Sequence, residues 1–188
     1  MAVLNMHERA FKATREQVAA LIASLSSPAD LLWPGSCWPR MRFDRRLSVG
    51  AAGGHGPIRY FVEAYAPGES IRFRFTGPAG FDGYHAYEMH PQNESVILLR
   101  HVLKMETHSL ARVSWPLVYR PLHDALIEDS FATAEVSLGQ SPRIRRWSAW
   151  VRFLRWAVSF GRAAKQSRLT WRTNPASTAG APTPSPQS

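Results

Sequence analysis

The sequence of 188 residues has little cysteine and no long uncharged apolar run. Its one cysteine, Cys37, excludes an internal disulfide, although a lone cysteine is compatible with any redox compartment. The longest uncharged apolar run is shorter than the roughly 18 residues that a transmembrane helix needs. The first residues contain no apolar core followed by a cleavage site, so no signal peptide is predicted. We therefore expect a cytoplasmic protein.

Acidic residues are missing from the last quarter of the chain. Residues 1–140 carry 14 Lys and Arg against 14 Asp and Glu, whereas residues 141–188 carry 9 Lys and Arg and no acid. The formal net charge of +9 therefore belongs to the C-terminal segment and not to the body. Hydrophobic residues make up 45% of the chain, which at this length predicts one globular domain with a core.

Signatures of metal and cofactor chemistry are also missing. His, Cys and Asp residues do not recur at the spacing of a zinc site. The glycines between residues 50 and 56 are not followed by the Lys-Ser/Thr of a phosphate-binding loop, and no G-x-S-x-G nucleophile elbow occurs. The sequence thus predicts no metal site and no cofactor.

The hydrophobic period changes along the chain. Residues 5–13 are interpreted as a first strand, followed by two short helices, one capped by Thr14 and one by Ser27. A period of two then predicts antiparallel strands at 40–50, 58–67, 70–78, 83–91 and 95–107. Residues 114–139 return to helical spacing and end at Gly139. This order predicts an α+β fold in which the sheet curls around a long helix and leaves an apolar space.

Residues 5–139 resemble the SRPBCC superfamily, also called START-like or polyketide cyclase/dehydrase-like. The resemblance lies in the element order, in "WPGSCWPRMRFD" before the sheet and in the closing helix "WPLVYRPLHDALIED". It implies the helix-grip fold and a cavity for lipids, polyketides or other hydrophobic molecules, with cyclisation or dehydration in some members. It implies no catalytic residue, because the superfamily has no short catalytic signature.

Three segments are predicted on this basis. A helix-grip domain covers residues 1–139, and a basic extension rich in Arg and Trp, predicted to be helical, covers 140–172. The remainder, 173–188, is rich in Pro, Ser, Thr and Ala and is expected to be disordered.

Candidate ligand-contacting residues are those that the two periods place between sheet and helix: Phe73, Phe75, Tyr87, Leu99, His101, Leu103, Leu122, Leu126 and Asp129. Asp129 falls in the apolar stripe of the long helix, where a carboxylate without a partner is costly. It is therefore either an acid of the cavity or the partner of a sheet arginine such as Arg100 or Arg59.

Histidines are the other candidates for acid–base chemistry. His101 lies on an apolar strand face and His85 on a neighbouring strand. Each is either a proton carrier in the cavity or a core histidine whose ring nitrogens are satisfied. His123 is interpreted as a surface residue.

The C-terminal segment combines rings and arginines in "RIRRWSAWVRFLRW", residues 143–156. On a helical wheel, residues 144–160 present a broad apolar arc and a narrower basic strip, as a helix lying on an anionic membrane would. The membrane contact is assigned to 143–171, with these residues at the surface: Arg145, Trp147, Trp150, Arg152, Phe153, Arg155 and Trp156. Two alternatives stay open: packing on its own domain or on a protein partner, and a nucleic-acid contact, which the apolar arc disfavours.

Three functions are consistent with these patterns. The first is the binding, transport or sequestration of a small hydrophobic or lipid-like molecule by a protein held peripherally at the inner face of a membrane. The second is a cyclase or dehydratase that uses Asp129, His101 and His85 in the same cavity. The third is a module that binds protein or nucleic acid, and no oligomeric state is indicated.

Overall fold

The computed structural model describes residues 1–158. Its strands are β1 (Ala2–Lys12), β2 (Arg42–Phe43), β3 (Ala52–His55), β4 (Ile58–Ala66), β5 (Ser70–Gly77), β6 (Phe81–Asn93) and β7 (Val96–Thr107). Its helices are α1 (Arg15–Ala23), α2 (Ala111–Ser114), α3 (Arg120–Ser137) and α4 (Ala149–Val158), and the π-helical Trp115–Tyr119 joins α2 to α3. The strands form one antiparallel sheet in the order β1-β7-β6-β5-β4-β3-β2. The predicted α+β helix-grip fold is confirmed.

Alternate residues of β5 and β7 form the inner face of the sheet, as the period of two predicts. Phe73, Leu99 and Leu103 are each 2% exposed or less. Register shifts between β4 and β5, and at the end of the β6–β7 pair, mark irregularities of the kind that bend a sheet. The long closing helix packs against this concave face.

The closing helix contains one turn of π-helix because of its prolines. Pro121 has no backbone N–H, so the Leu117 carbonyl lacks its helical donor. One residue earlier, Arg120 N–H bonds to the carbonyl of Trp115, five positions back, which is the π-helical spacing. The indole Nε1 of Trp150, in α4, donates to the freed Leu117 carbonyl at 2.8 Å. The helix starts three residues earlier than predicted, at Ala111.

The end of this helix is a Schellman motif. Gly139 has φ 72°, a conformation that glycine adopts without strain. Gly139 N–H bonds to the Val136 carbonyl, and Gln140 N–H bonds to the Glu135 carbonyl. The predicted stop at Gly139 is confirmed.

The second short helix predicted after α1 is not formed. Residues 24–38 consist mostly of turns and bends instead. The carboxylate of Asp30 accepts hydrogen bonds from the backbone N–H groups of Ser26, Leu32 and Trp33. These bonds satisfy the backbone locally and so compete with a helix.

The strand predicted at 40–50 is reduced to the two residues of β2. Asp44 accepts a hydrogen bond from Ala52 N–H at 3.0 Å, and residues 44–50 leave the sheet as bends and a turn. The segment predicted as a loop contains β3 instead. It turns into β4 at Gly56, whose φ of 51° suits a tight hairpin.

The segment after Gly139 returns to the domain. Its helix, α4, begins at Ala149 and not at 144, because Ser148 Oγ accepts from Val151 N–H as an N-cap. Val151 and Leu154 are buried, and α4 packs against α3. The predicted extension at 159–172 and the predicted disordered tail at 173–188 lie outside the described residues.

Candidate ligand cavity and histidine row

A cavity of about 170 Å³ lies between the sheet, the closing helix and α4. Most of its wall is apolar and comes from aromatic and aliphatic side chains: Trp33, Trp38, Ile58, Phe75, Phe81, Leu103, Trp115, Val118, Leu122, Leu126 and Ile127. A small apolar pocket with few polar groups is the usual form of a small-molecule site.

The predicted ligand-contacting residues divide into two groups. Those that line the cavity are Phe75, His101, Leu103, Leu122 and Leu126. Those that lie buried behind its wall are Phe73, Tyr87, Leu99 and Asp129. Phe73 stacks on His85 with ring centroids 4.9 Å apart, and Tyr87 Oη lies 3.0 Å from Ser130 Oγ. Periodicity identified the correct face of each element but not the depth of each side chain.

Four histidines line the cavity: His55, His85, His101 and His123. His85 Nδ1 lies 3.3 Å from His101 Nε2, and the ring centroids of His101 and His123 are 5.0 Å apart. We call these three the histidine row. His55 stands apart, with its Nδ1 2.9 Å from Tyr60 Oη.

The position of His123 corrects the prediction that it lies on the surface. The surface prediction rested on the position of His123 beside Asp124. Leu126 and Ile127, three and four positions later in α3, are buried, so His123 lies on the same face of the helix and lines the cavity. His55 was missed because its strand was predicted as a loop.

Burial keeps these histidines neutral. Desolvation is the largest cause that lowers the pKa values of His85 and His101 well below the usual 6.5, and neighbouring histidines lower them further. The same two causes, with Arg59, lower the pKa of His55 to about 3. Desolvation also lowers the pKa of His123. A neutral imidazole offers one donor and one acceptor nitrogen.

Several of these nitrogens have no hydrogen-bond partner among the residues that the structure describes. Within residues 1–158, no hydrogen bond reaches His85 Nε2, His101 Nδ1 or either ring nitrogen of His123. An unsatisfied buried polar atom costs about 1–3 kcal/mol. The cavity wall therefore carries a row of unused hydrogen-bonding atoms in apolar surroundings.

Asp129 lies outside the cavity wall and holds α4 in place. Its Oδ2 accepts from Trp38 Nε1 and from Trp147 Nε1, each at 2.8 Å. The Arg155 guanidinium lies 4.3 Å from the ring centroid of Trp38 and donates to the Cys37 carbonyl. We call Asp129, Trp38, Trp147 and Arg155 the Asp129 cluster.

The sheet arginines that were proposed as partners of Asp129 have other bonds. Arg100 Nε donates to Glu8 Oε1 at 2.6 Å. Arg59 Nη1 donates to the Gly56 carbonyl at 2.7 Å. Asp129 is thus paired, as expected of a buried carboxylate, and its donors are two indoles and, at 3.9 Å, the Cys37 thiol.

The residues predicted at a membrane surface divide between two sides of the extension. Trp147 is 7% exposed and Arg155 is half-buried, and both belong to the Asp129 cluster on the domain side. On the other side, Trp150, Phe153 and Trp156 are 46%, 50% and 51% exposed. Their successive ring centroids are 5.3 and 6.0 Å apart, and we call them the exposed aromatic row.

The two remaining arginines of the predicted membrane surface, Arg145 and Arg152, are also exposed. The membrane hypothesis therefore keeps a ring-rich outer surface but loses Trp147 and Arg155. No helix within the described part of the chain is long and apolar enough to cross a membrane.

Comparison with known proteins places this architecture among solved folds. No family model and no curated protein matches the sequence. Norcoclaurine synthase from Thalictrum flavum, in complex with dopamine and hydroxybenzaldehyde, matches with a TM-score of 0.52 at 11% identity, over 76% of this chain and 90% of that one. CalU16 from Micromonospora echinospora matches with a TM-score of 0.52 at 12% identity, over 85% and 88% of the two chains. A Thermobifida fusca protein solved by NMR matches with a TM-score of 0.55 at 12% identity, over 76% and 99%. At these identities the likeness shows the fold alone.

Proposed function

We propose that this chain, which has the helix-grip fold of the SRPBCC superfamily, binds a small amphipathic molecule in its cavity. The observation that carries the proposal is the set of nitrogens of the histidine row that have no partner within residues 1–158, in an otherwise apolar wall. An apolar body would fill the cavity, and a hydroxyl or carbonyl group would bond to the histidine row. The complex of norcoclaurine synthase with dopamine and hydroxybenzaldehyde supports this choice of ligand class.

The size of the cavity narrows the ligand further. Its volume of about 170 Å³ is below the roughly 300–1,000 Å³ of pockets for drug-sized molecules. A compound with one ring or a short chain therefore suits it better than a long-chain lipid or a polycyclic polyketide.

Binding is tested with phenol and hydroxybenzaldehyde as probes, using ligand-observed NMR on the full chain. Leu122→Trp places an indole in the cavity wall, whereas Leu117→Trp, in the same helix, alters a side chain that is 55% exposed. We expect saturable binding to the wild type and to Leu117→Trp, and at least tenfold weaker binding to Leu122→Trp. Equal affinity in both variants would contradict the proposal. So would the lack of probe binding together with the lack of any small molecule extracted from the purified chain.

Acid–base catalysis of the cyclase or dehydratase type is a second use of the same cavity. It is favoured by His85 and His101, whose facing nitrogens lie 3.3 Å apart in the wall. Asp129 is assigned no role in it, because its carboxylate does not line the cavity and accepts hydrogen bonds from two indoles. Loss of turnover in His101→Gln with binding retained would distinguish the enzyme from a carrier.

We also propose that the exposed aromatic row binds the surface of an anionic bilayer. Indole and phenyl rings favour the headgroup region, and arginine gains about 1 kcal/mol near an anionic surface. The surroundings of the row match this chemistry, since Arg145, Arg146 and Arg152 are exposed and residues 141–158 contain no acid. Leu117, 55% exposed beside Trp150, extends the apolar surface.

A further inference from the structure

A polar cluster lies between the inner side of β1 and the first half of α3, next to the cavity. His7 Nε2 lies 3.1 Å from Asp124 Oδ1, and His7 Nδ1 lies 3.2 Å from Glu128 Oε1. His123 Nδ1 lies 3.6 Å from the same Asp124 oxygen. One ring nitrogen from each of His7 and His123 and one oxygen of Asp124 all lie within 4.8 Å of one another.

Hydrogen bonding within residues 1–158 does not account for the buried ring of His123. Both of its ring nitrogens are buried, and neither has a hydrogen-bond partner in the part of the chain that the structure describes. The separation of 3.6 Å from Asp124 is too long for a hydrogen bond. A cation placed among these three side chains would use a donor atom that the fold otherwise buries at a cost.

We propose that His7, His123 and Asp124 bind a divalent transition-metal ion, and that Zn²⁺ suits them best. Two imidazoles and one carboxylate form a three-ligand set that leaves a coordination position for water or another ligand. Ligand atoms at about 2.0–2.1 Å from a tetrahedral zinc lie roughly 3.4 Å apart. The separations of 3.1 and 3.6 Å from Asp124 Oδ1 to the two imidazoles bracket this value, and the two imidazole nitrogens lie within 4.8 Å of each other.

Neighbouring side chains orient the ligands as they do around metals. Glu128 holds the far nitrogen of His7, which fixes the tautomer of a metal-bound imidazole and increases its basicity. Arg9 Nη2 in turn donates to Glu128 Oε2 at 2.7 Å, and Asn5 Nδ2 donates to Asp124 Oδ1 at 2.8 Å. The ligands are thus held by groups that belong to β1 and α3 themselves.

The ion would join two parts of the fold that are far apart in sequence. His7 belongs to the edge strand β1, whereas His123 and Asp124 belong to α3. His123 also lines the cavity, so the metal site adjoins the proposed ligand site. The metal proposal does not depend on ligand binding, and it holds or fails by itself.

The test uses the full chain freed of metal with a chelator and titrated with ZnCl₂ by calorimetry. We expect one equivalent to bind, and a Co²⁺ complex to show the visible absorption of a four-coordinate ion. His7→Gln and His123→Gln should each weaken binding at least tenfold. Glu128→Gln removes no ligand, and it should weaken binding about 10–100-fold.

Two observations guard against variants that merely misfold. His90→Gln changes a half-buried histidine that contacts Glu88 on β6, away from the three proposed ligands, and it should bind zinc like the wild type. Zinc should raise the Tm of the wild type and of His90→Gln by similar amounts, and that of His7→Gln by much less at the same zinc concentration. No saturable binding to the wild type, or the same affinity in His7→Gln and His123→Gln, would overturn the proposal. A protonated His7 between its two carboxylates would then explain the contacts.

Discussion

At the scale of the residue, the helical period predicted that Asp129 is buried and needs a hydrogen-bonding partner. The period placed this carboxylate in the apolar stripe of the closing helix, and it is 5% exposed. The need for a partner was therefore predictable. The identity of the partners was not, because Trp38 and Trp147 lie 91 and 18 residues away along the chain. No local pattern couples an acid to indoles at such separations.

Removing the Asp129 carboxylate should destabilise the protein strongly. In Asp129→Ala, the indole N–H groups of Trp38 and Trp147 lose their acceptor, and each such loss costs about 1–3 kcal/mol. We expect the free energy of unfolding in urea to fall by about 3 kcal/mol. Trp147→Phe, which removes one donor and keeps the acceptor occupied by Trp38, should cost less than Asp129→Ala.

Asp82→Ala serves as the matched control for this change, because Asp82 is exposed on β6. Its effect should stay within about 0.5 kcal/mol, as for ordinary surface substitutions. A loss below 1 kcal/mol in Asp129→Ala would mean that Asp129 does not hold the two indoles in place.

At the scale of the element, long regular segments were predictable and short irregular ones were not. The alternation in β5 and β7 gave the correct inner face, and Gly139 ends the closing helix as predicted. The helix expected after α1 was wrong, because the side chain of Asp30 supplies the acceptors that a helix would have supplied.

The residues that line the cavity were likewise predictable only where they lie in long regular segments. Five of the nine predicted ligand-contacting residues line the cavity. His123 was missed because its neighbour Asp124 suggested a surface position, and His55 because β3 has the composition of a loop. β3 becomes a strand by pairing with β2 and β4, which composition alone does not reveal.

The exposed aromatic row gives the prediction that belongs to α4. The full chain is sedimented with vesicles of equal parts phosphatidylcholine and phosphatidylglycerol. Phe153→Ser with Trp156→Ser removes two rings of the row and leaves the Trp150 bond to Leu117 intact. We expect at least tenfold less bound protein than for the wild type, since apolar area that enters the headgroup region is lost.

Leu4→Ser with Met6→Ser is the control, because both side chains are exposed on the outer side of β1. This variant should sediment like the wild type. Vesicles of phosphatidylcholine alone should bind less wild-type protein, because they lack the anionic headgroups that attract the arginines. If the ring variant sediments like the wild type, the exposed aromatic row is not a membrane contact.

At the scale of the whole molecule, buried histidines make stability depend on pH. The folded chain holds His85 and His101 with pKa values well below the 6.5 of an unfolded histidine, mainly because burial disfavours the charged ring. As the pH falls below about 6.5, the unfolded chain takes up protons that the folded chain does not. The stabilisation is therefore fully present above the unfolded pKa and is lost as the pH falls.

His85→Gln isolates the contribution of one member of the histidine row. We expect the free energy of unfolding of the wild type to fall between pH 7 and pH 5, by up to about 1.4 kcal/mol per pH unit for each buried histidine. The free energy of unfolding of His85→Gln should fall less steeply over the same pH range. The difference should equal the contribution of one buried histidine, because glutamine does not titrate. His108→Gln, at an exposed position, should keep the wild-type slope. Urea titrations at pH 7, 6 and 5 measure all three slopes, and parallel curves for the wild type and His85→Gln would show that His85 is not held neutral by the fold.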